Sequence, residues 1–204
     1  MQRLHTWYGP ATQAALFAMT ILMLPGIKNT TGRTRWLIAL GLAALAFLPL
    51  FEGIPLAYYL RGLLGDLSIP TVALLLAGIY GPLPAWQPAR KRLLILAAIT
   101  GLCFYPMALG ATPFDPYQWG YQPVWLITGL AAIVLFSWRT HPALVWILSC
   151  AVMAFDIGLM ESSNLWDYLI DPALAVFGAG WLAVNAAKRI LTKKQPVTAS
   201  PEAK

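Results

Sequence analysis

Positive charge in this chain falls almost entirely in every second connection between apolar runs, and that alternation restricts the available folds more than any other feature. Lys28, Arg33 and Arg35 occupy one connection and Arg90, Lys91 and Arg92 another. Arg139 and His141 fill a third, and Lys188, Arg189, Lys193 and Lys194 flank the last run. Glu52, Asp66, Asp115, Asp156, Glu161, Asp167 and Asp171 lie in or beside the intervening connections, and only Glu202 departs from the pattern. Short loops rich in Lys and Arg stay on the cytoplasmic side of a membrane, so the alternation predicts a topology.

Composition agrees with a chain made for lipid. Of 204 residues, 59% are hydrophobic and 11% charged, with a mean hydropathy of +0.65; a soluble domain carries roughly 25% charge. The net charge of +6 does not point to nucleic acid, because the cations stand at the ends of apolar runs and form no basic polar domain. They read as topology signals and as contacts for anionic lipid. Cys103 and Cys150 both lie inside apolar runs, where a free thiol ordinarily serves as a small packing residue.

Seven apolar segments are expected, at 11–27, 36–51, 63–80, 93–109, 124–138, 143–160 and 172–187. Lipid-exposed backbone must satisfy its own hydrogen bonds, and the runs lack the period-two alternation of a barrel, so each is expected to be helical. The expected fold is therefore an all-α integral membrane protein, a seven-helix bundle over 1–194 with the N-terminus outside and the C-terminus inside. Arg3 ahead of the first run resembles the start of a signal peptide, but Pro25, Gly26, Ile27 and Lys28 follow in place of a small-residue cleavage site. Compactness and the lack of a targeting peptide favour a bacterial inner membrane. The polar stretch 195–204 reads as a disordered cytoplasmic tail. Trp36, Trp86 and Trp138 fall at inner boundaries and Trp119, Trp125 and Trp166 at outer ones, as in an aromatic belt.

A faint repeat aligns the second and fourth runs. Phe47, Pro49 and Gly53 match Phe104, Pro106 and Gly110, and each phenylalanine follows an arginine by twelve residues. Three outward-facing hairpins after a lone first helix would account for this, and so would chance, since membrane helices often end near Pro and Gly.

Chemistry would have to come from the outer acids. An ionised carboxylate in hydrocarbon is expensive, so Asp66 and Asp156, near the outer ends of their runs, are expected to face water, the bundle interior or a partner. Burial would raise their pKa values and poise them for proton or cation exchange. Arg61 is an outer cation able to pair with Asp66, Glu52 or Asp156, although a continuous helix would not juxtapose residues five apart. Glu161, Asp167 and Asp171 crowd the last outer connection; their spacing matches no dedicated metal loop, and Asp171-Pro172 is also an ordinary helix start. The aromatic stretch 114–125 can stack a sugar or acyl chain, or simply anchor at the interface.

His5 and His141 lie at unsuitable depths for a haem or zinc site, and no phosphate-binding loop or nucleophile elbow is present. No cofactor or metal is expected. Three functions remain open. The first is a transport-like bundle binding a proton, cation or small polar solute at an outward acidic site formed from Asp66, Asp156, Arg61, Glu52, Glu161 and Asp167. The second is an accessory subunit of a cell-envelope lipid or glycan complex, partnered by another membrane protein. The third is a hydrolase or transferase acting on lipid headgroups with paired carboxylates. The first is preferred, with membrane lipids as partners and no nucleic acid.

Overall fold

A computed structural model describes residues 4–81 and 86–193. Arg3, Lys194 and the expected tail at 195–204 lie outside the described residues. The described chain is mostly helical: α1 (Leu4–Leu22), α2 (Gly32–Leu45), α3 (Leu56–Leu64), α4 (Ile69–Tyr80), α5 (Gln87–Pro106), α6 (Val124–Ser137), α7 (Pro142–Asp156), α8 (Leu165–Leu169) and α9 (Pro172–Lys193). A two-stranded antiparallel hairpin, β1 (Pro49–Phe51) and β2 (Ile54–Pro55), links α2 to α3. A wide turn at Met107–Ala111 continues α5, and a tight one at Pro116–Gly120 precedes α6.

Two apolar runs depart from the expected continuous helix. The run 36–51 stops being helical at Leu45 and ends in β1. Pro49 has no N–H to continue a helix, and the chain reverses through Glu52 and Gly53 at φ values of 50° and 76°. The run 63–80 is divided between α3 and α4. Gly65, at φ 74°, closes α3, and Pro70 in the first turn of α4 opens the next helix. That break creates the site described below. The expected outward hairpins are also not the packing units. The fourth-run helix α5 packs chiefly on α9, and α7 on α4, α6 and α8. The two matched motifs diverge as well, one forming the hairpin and the other the wide turn, although Gly53 and Gly110 both adopt positive φ.

Charge is segregated between two ends. At one end, Arg35 reaches the C-terminus of α4, donating to the carbonyls of Gly78 and Ile79, and Trp36 packs on Tyr80. The opposite end gathers the α4 and α9 N-termini, the α5 C-terminus, α3 and α8, and with them Asp66, Asp167 and Asp171. Two helical stretches, Gln87–Ala111 and Pro172–Leu191, are long and apolar enough to cross a membrane. Ile69–Tyr80, Val124–Ser137 and Pro142–Asp156 are apolar but shorter.

The α5–α9 contact is close because glycine permits it. A Cβ on Gly178 would stand 2.7 Å from the Leu94 carbonyl oxygen and 3.2 Å from the Ala98 nitrogen, and one on Gly101 would meet Ala175. Backbone cannot yield as a flexible side chain would. Gly178→Ala is therefore expected to lower stability by about 1–3 kcal/mol through overpacking, whereas Gly180→Ala, with nothing within 4 Å, should be neutral or stabilising. Thermal unfolding reads the difference; equal melting of the two variants would contradict this packing.

Candidate functional site

The break between α3 and α4 folds Asp66 back onto Arg61. The Gly65 N–H bonds the Arg61 carbonyl at 2.8 Å, and the turn that follows brings two side chains five residues apart into a two-point contact. Arg61 Nε lies 2.6 Å from Asp66 Oδ1, and Nη2 lies 3.1 Å from Oδ2. The same Nη2 reaches Glu161 Oε1 at 3.0 Å, joining α3 to the connection after α7. Helix α1 supplies the floor for this pair. A Cβ on Gly9 would fall on Arg61 Nε and Asp66 Oδ1, so the pair fits only against a bare backbone. Gln13, one turn further along α1, donates to the Gly65 carbonyl at 2.7 Å and Tyr8 to the Leu67 carbonyl at 2.7 Å. The hydrogen bonds that Arg61 donates to Asp66, and then to Glu161, outweigh burial and push its pKa above the ordinary value.

Asp171 holds the next layer. It is 3% exposed. Its Oδ1 accepts from the Leu174 N–H at 2.8 Å, capping α9. Its Oδ2 accepts from the Ser68 N–H at 2.9 Å, the Ser68 hydroxyl at 2.7 Å and the Thr71 hydroxyl. One carboxylate thus ties the first turn of α4 to that of α9, and its negative charge suits both helix N-termini.

Asp167, in the short α8, accepts from Tyr117 Oη at 2.9 Å and from the Ser162 hydroxyl. Asn164 caps α8 through the Trp166 N–H and donates to the Tyr117 carbonyl at 2.9 Å; Trp166 Nε1 donates to the Pro116 carbonyl at 3.0 Å. These bonds lock the 116–120 turn against α8. Burial, then the bond to Asp167, pushes the Tyr117 pKa above its ordinary value, so its hydroxyl stays a donor. Tyr168, whose oxygen bonds the Met160 N–H at 3.0 Å, is shifted the same way, chiefly by burial.

Several of these groups line a cavity of about 830 Å3 at the acidic end. Arg61, Asp66, Glu161, Asp167 and Asp171 supply its charge, four carboxylates against one guanidinium, and Tyr58, Phe104, Tyr105 and Tyr117 supply aromatic wall. Phe104 sits at the centre of that wall, its ring 4.6 Å from Trp166 and 6.1 Å from Tyr117 between centroids.

Of the residues expected from sequence, Arg61, Asp66, Glu161 and Asp167 meet here. Asp156 and Glu52 do not line the cavity. Asp156 is the exposed last residue of α7, because the chain leaves the helix through Gly158 at φ 62°. Glu52 is exposed at the tip of the β1–β2 hairpin. Asp171 was legible as a helix cap, but its clamp on Ser68 and Thr71, a hundred residues away, had no sequence signal. Tyr58, Tyr105 and Ser162 likewise carry no motif. Within the aromatic stretch, Tyr117 lines the cavity and Trp125 is exposed. Cys103 and Cys150 are free and exposed on their helices, not packed inside as expected.

Among the described residues no three His, Cys, Asp or Glu side chains are grouped as a metal site. Compared with protein-family models, curated proteins and solved structures, the chain matches none.

Asp171→Asn turns one accepting oxygen into a donor that faces another donor, whichever way the amide sits. The expected cost is about 2–4 kcal/mol of stability, against less than about 0.5 kcal/mol for Asp156→Asn on the exposed end of α7. Parallel melting curves test this, and comparable losses in both would contradict the clamp.

Proposed function

We propose that the chain is a seven-pass protein of a bacterial inner membrane that presents an acidic cavity to the outer side and binds a small organic cation there, in a transport-like role. In this reading α1, α2, α4, α5, α6, α7 and α9 cross the bilayer, with the N-terminus outside and the C-terminus inside, while α3, α8 and the hairpin lie at the outer face. The positive-inside rule supports that orientation, because the loops carrying Lys28, Arg33, Arg35, Arg90, Lys91, Arg92 and Arg139 share one end.

Surface chemistry supports the bilayer. Only 33% and 17% of the apolar windows in the two longest candidate spans are buried, far less than the core helix of a soluble protein requires. Leu109, Leu135 and Phe136 are 84%, 77% and 88% exposed, and apolar surface on that scale marks an interaction with membrane or protein. The 12-residue α4 spans roughly 18 Å, short of the ~30 Å hydrocarbon core. Interfacial aromatics and local thinning of the bilayer accommodate such mismatch.

The observation that carries the function is the cavity's composition. An excess of carboxylates repels anions and attracts cations, and aromatic residues in the wall, Tyr58, Tyr105, Tyr117 and Phe104, suit a weakly hydrated ammonium better than a small inorganic ion. The volume lies in the range of pockets that enclose small molecules. A bound cation competes with Arg61 for Asp66 and Glu161; Glu161, 60% exposed, is the more easily displaced partner.

Tetramethylammonium and putrescine are the probes, titrated calorimetrically into the purified protein. Binding is expected to exceed that of sodium. Asp167→Asn should weaken it about tenfold, or roughly 1.4 kcal/mol, without change in melting temperature beyond a degree or two. Selective binding of anions, or equal affinity in Asp167→Asn and the parent protein, would overturn the proposal.

A further inference from the structure

A second cavity, of about 530 Å3, lies towards the basic end between α1, α4, α5 and α9. Its wall is mostly apolar, with Met19, Leu74, Leu75 and Phe177 along it, and its charged members are Lys28, Arg35 and Arg90. No carboxylate lines it, and no ion pair among the described residues joins these three to one.

Among the described residues, these cations have no carboxylate partner to neutralise them. Arg35 is 6% exposed, yet its guanidinium meets only backbone carbonyls, those of Lys28, Thr30, Gly78 and Ile79. A buried guanidinium satisfied by neutral acceptors keeps its full charge in a poorly solvated setting. Arg90 ends the first turn of α5, with Lys91 and Arg92 directly after it, and that turn holds no acid although a helix start favours anions. An external anion at this point relieves both conditions at once.

We infer that this cavity is a binding site for an anionic phospholipid of the inner leaflet. The phosphodiester lies against Lys28, Arg35 and Arg90, and one acyl chain runs along Met19, Leu75 and Phe177. The join of a cationic head region to an apolar trough selects an amphiphile with a negative headgroup over a free anion or a neutral lipid. Arg35 also holds the end of α4, so Lys28 and Arg90 are the positions to vary. The inference rests on the bilayer placement and is independent of what the acidic cavity binds.

The test is native mass spectrometry of the purified full chain in neutral detergent, titrated with phosphatidylglycerol, phosphatidylcholine or inorganic phosphate. One phosphatidylglycerol should be retained in preference to phosphatidylcholine. Each cation near a membrane surface contributes about 1 kcal/mol, so Lys28→Gln with Arg90→Gln should weaken retention about thirtyfold. Ala77→Phe, which fills the trough and keeps the cations, should weaken it too. Equal retention of both lipids, or unchanged retention in the double variant, overturns the site. Displacement of the lipid by millimolar phosphate overturns the amphiphile and leaves a simple anion site. Carbonate extraction of membranes tests the placement separately: release of the protein overturns the bilayer reading and this inference together, whereas loss of ammonium binding alone leaves the lipid site standing.

Discussion

The Asp171 carboxylate is the joint from which the acidic end is built. It accepts four hydrogen bonds from two helix starts that are a hundred residues apart in sequence, and it does so almost entirely out of solvent. A buried charge of this kind is tolerable only when every lone pair is engaged, so α4 and α9 cannot shift relative to one another without leaving it unsatisfied. With α9 pressed onto α5 through Gly178, the position of α4 also fixes where the 65–68 turn emerges. That turn in turn sets Asp66 against Arg61. The cavity is a consequence of these junctions and not of any single loop.

Two different electrostatic solutions appear at the two ends. At the acidic end, each carboxylate described in the cavity wall is held by donors, and the one cation there bridges Asp66 and Glu161. At the basic end, Arg35 is held by carbonyls alone and the α5 N-terminus carries three cations. The first end carries four carboxylates against one guanidinium, and in the second no carboxylate lines the cavity around Lys28, Arg35 and Arg90. In the proposed orientation, anionic lipid on the inner side would supply negative charge to the second end, and the first would open to cations from the aqueous phase.

Much of this architecture was legible from the residues because charge and hydropathy are set by the solvent the chain must meet. The runs at 124–138 and 172–187 and the caps at Asp171 and Pro172 correspond closely to α6 and α9. The division of 63–80 was written in Gly65 and Pro70, but a window of hydropathy averages across a two-residue signal. Asp156 and Glu52 were attractive by depth alone, and depth does not bring residues together: both are exposed and neither lines the cavity. Helix pairing was the least legible feature. The α5–α9 contact depends on two glycines meeting backbone and a small side chain across more than seventy residues, and the expected neighbour pairs gave way to it. The aromatic wall was hidden for a related reason, since Tyr58, Tyr105 and Tyr117 come from three separate segments.

The central claim is that the cavity faces outward and the cation cluster inward, and labelling from outside intact cells tests it most directly. With Cys103 and Cys150 replaced by alanine, single cysteines are introduced as Glu52→Cys at the hairpin tip and Arg139→Cys between α6 and α7, both exposed positions. A membrane-impermeant maleimide is expected to modify the Glu52→Cys protein in intact cells and the Arg139→Cys protein only after permeabilisation. Labelling of Arg139→Cys in intact cells, or protection of Glu52→Cys until permeabilisation, would contradict the account.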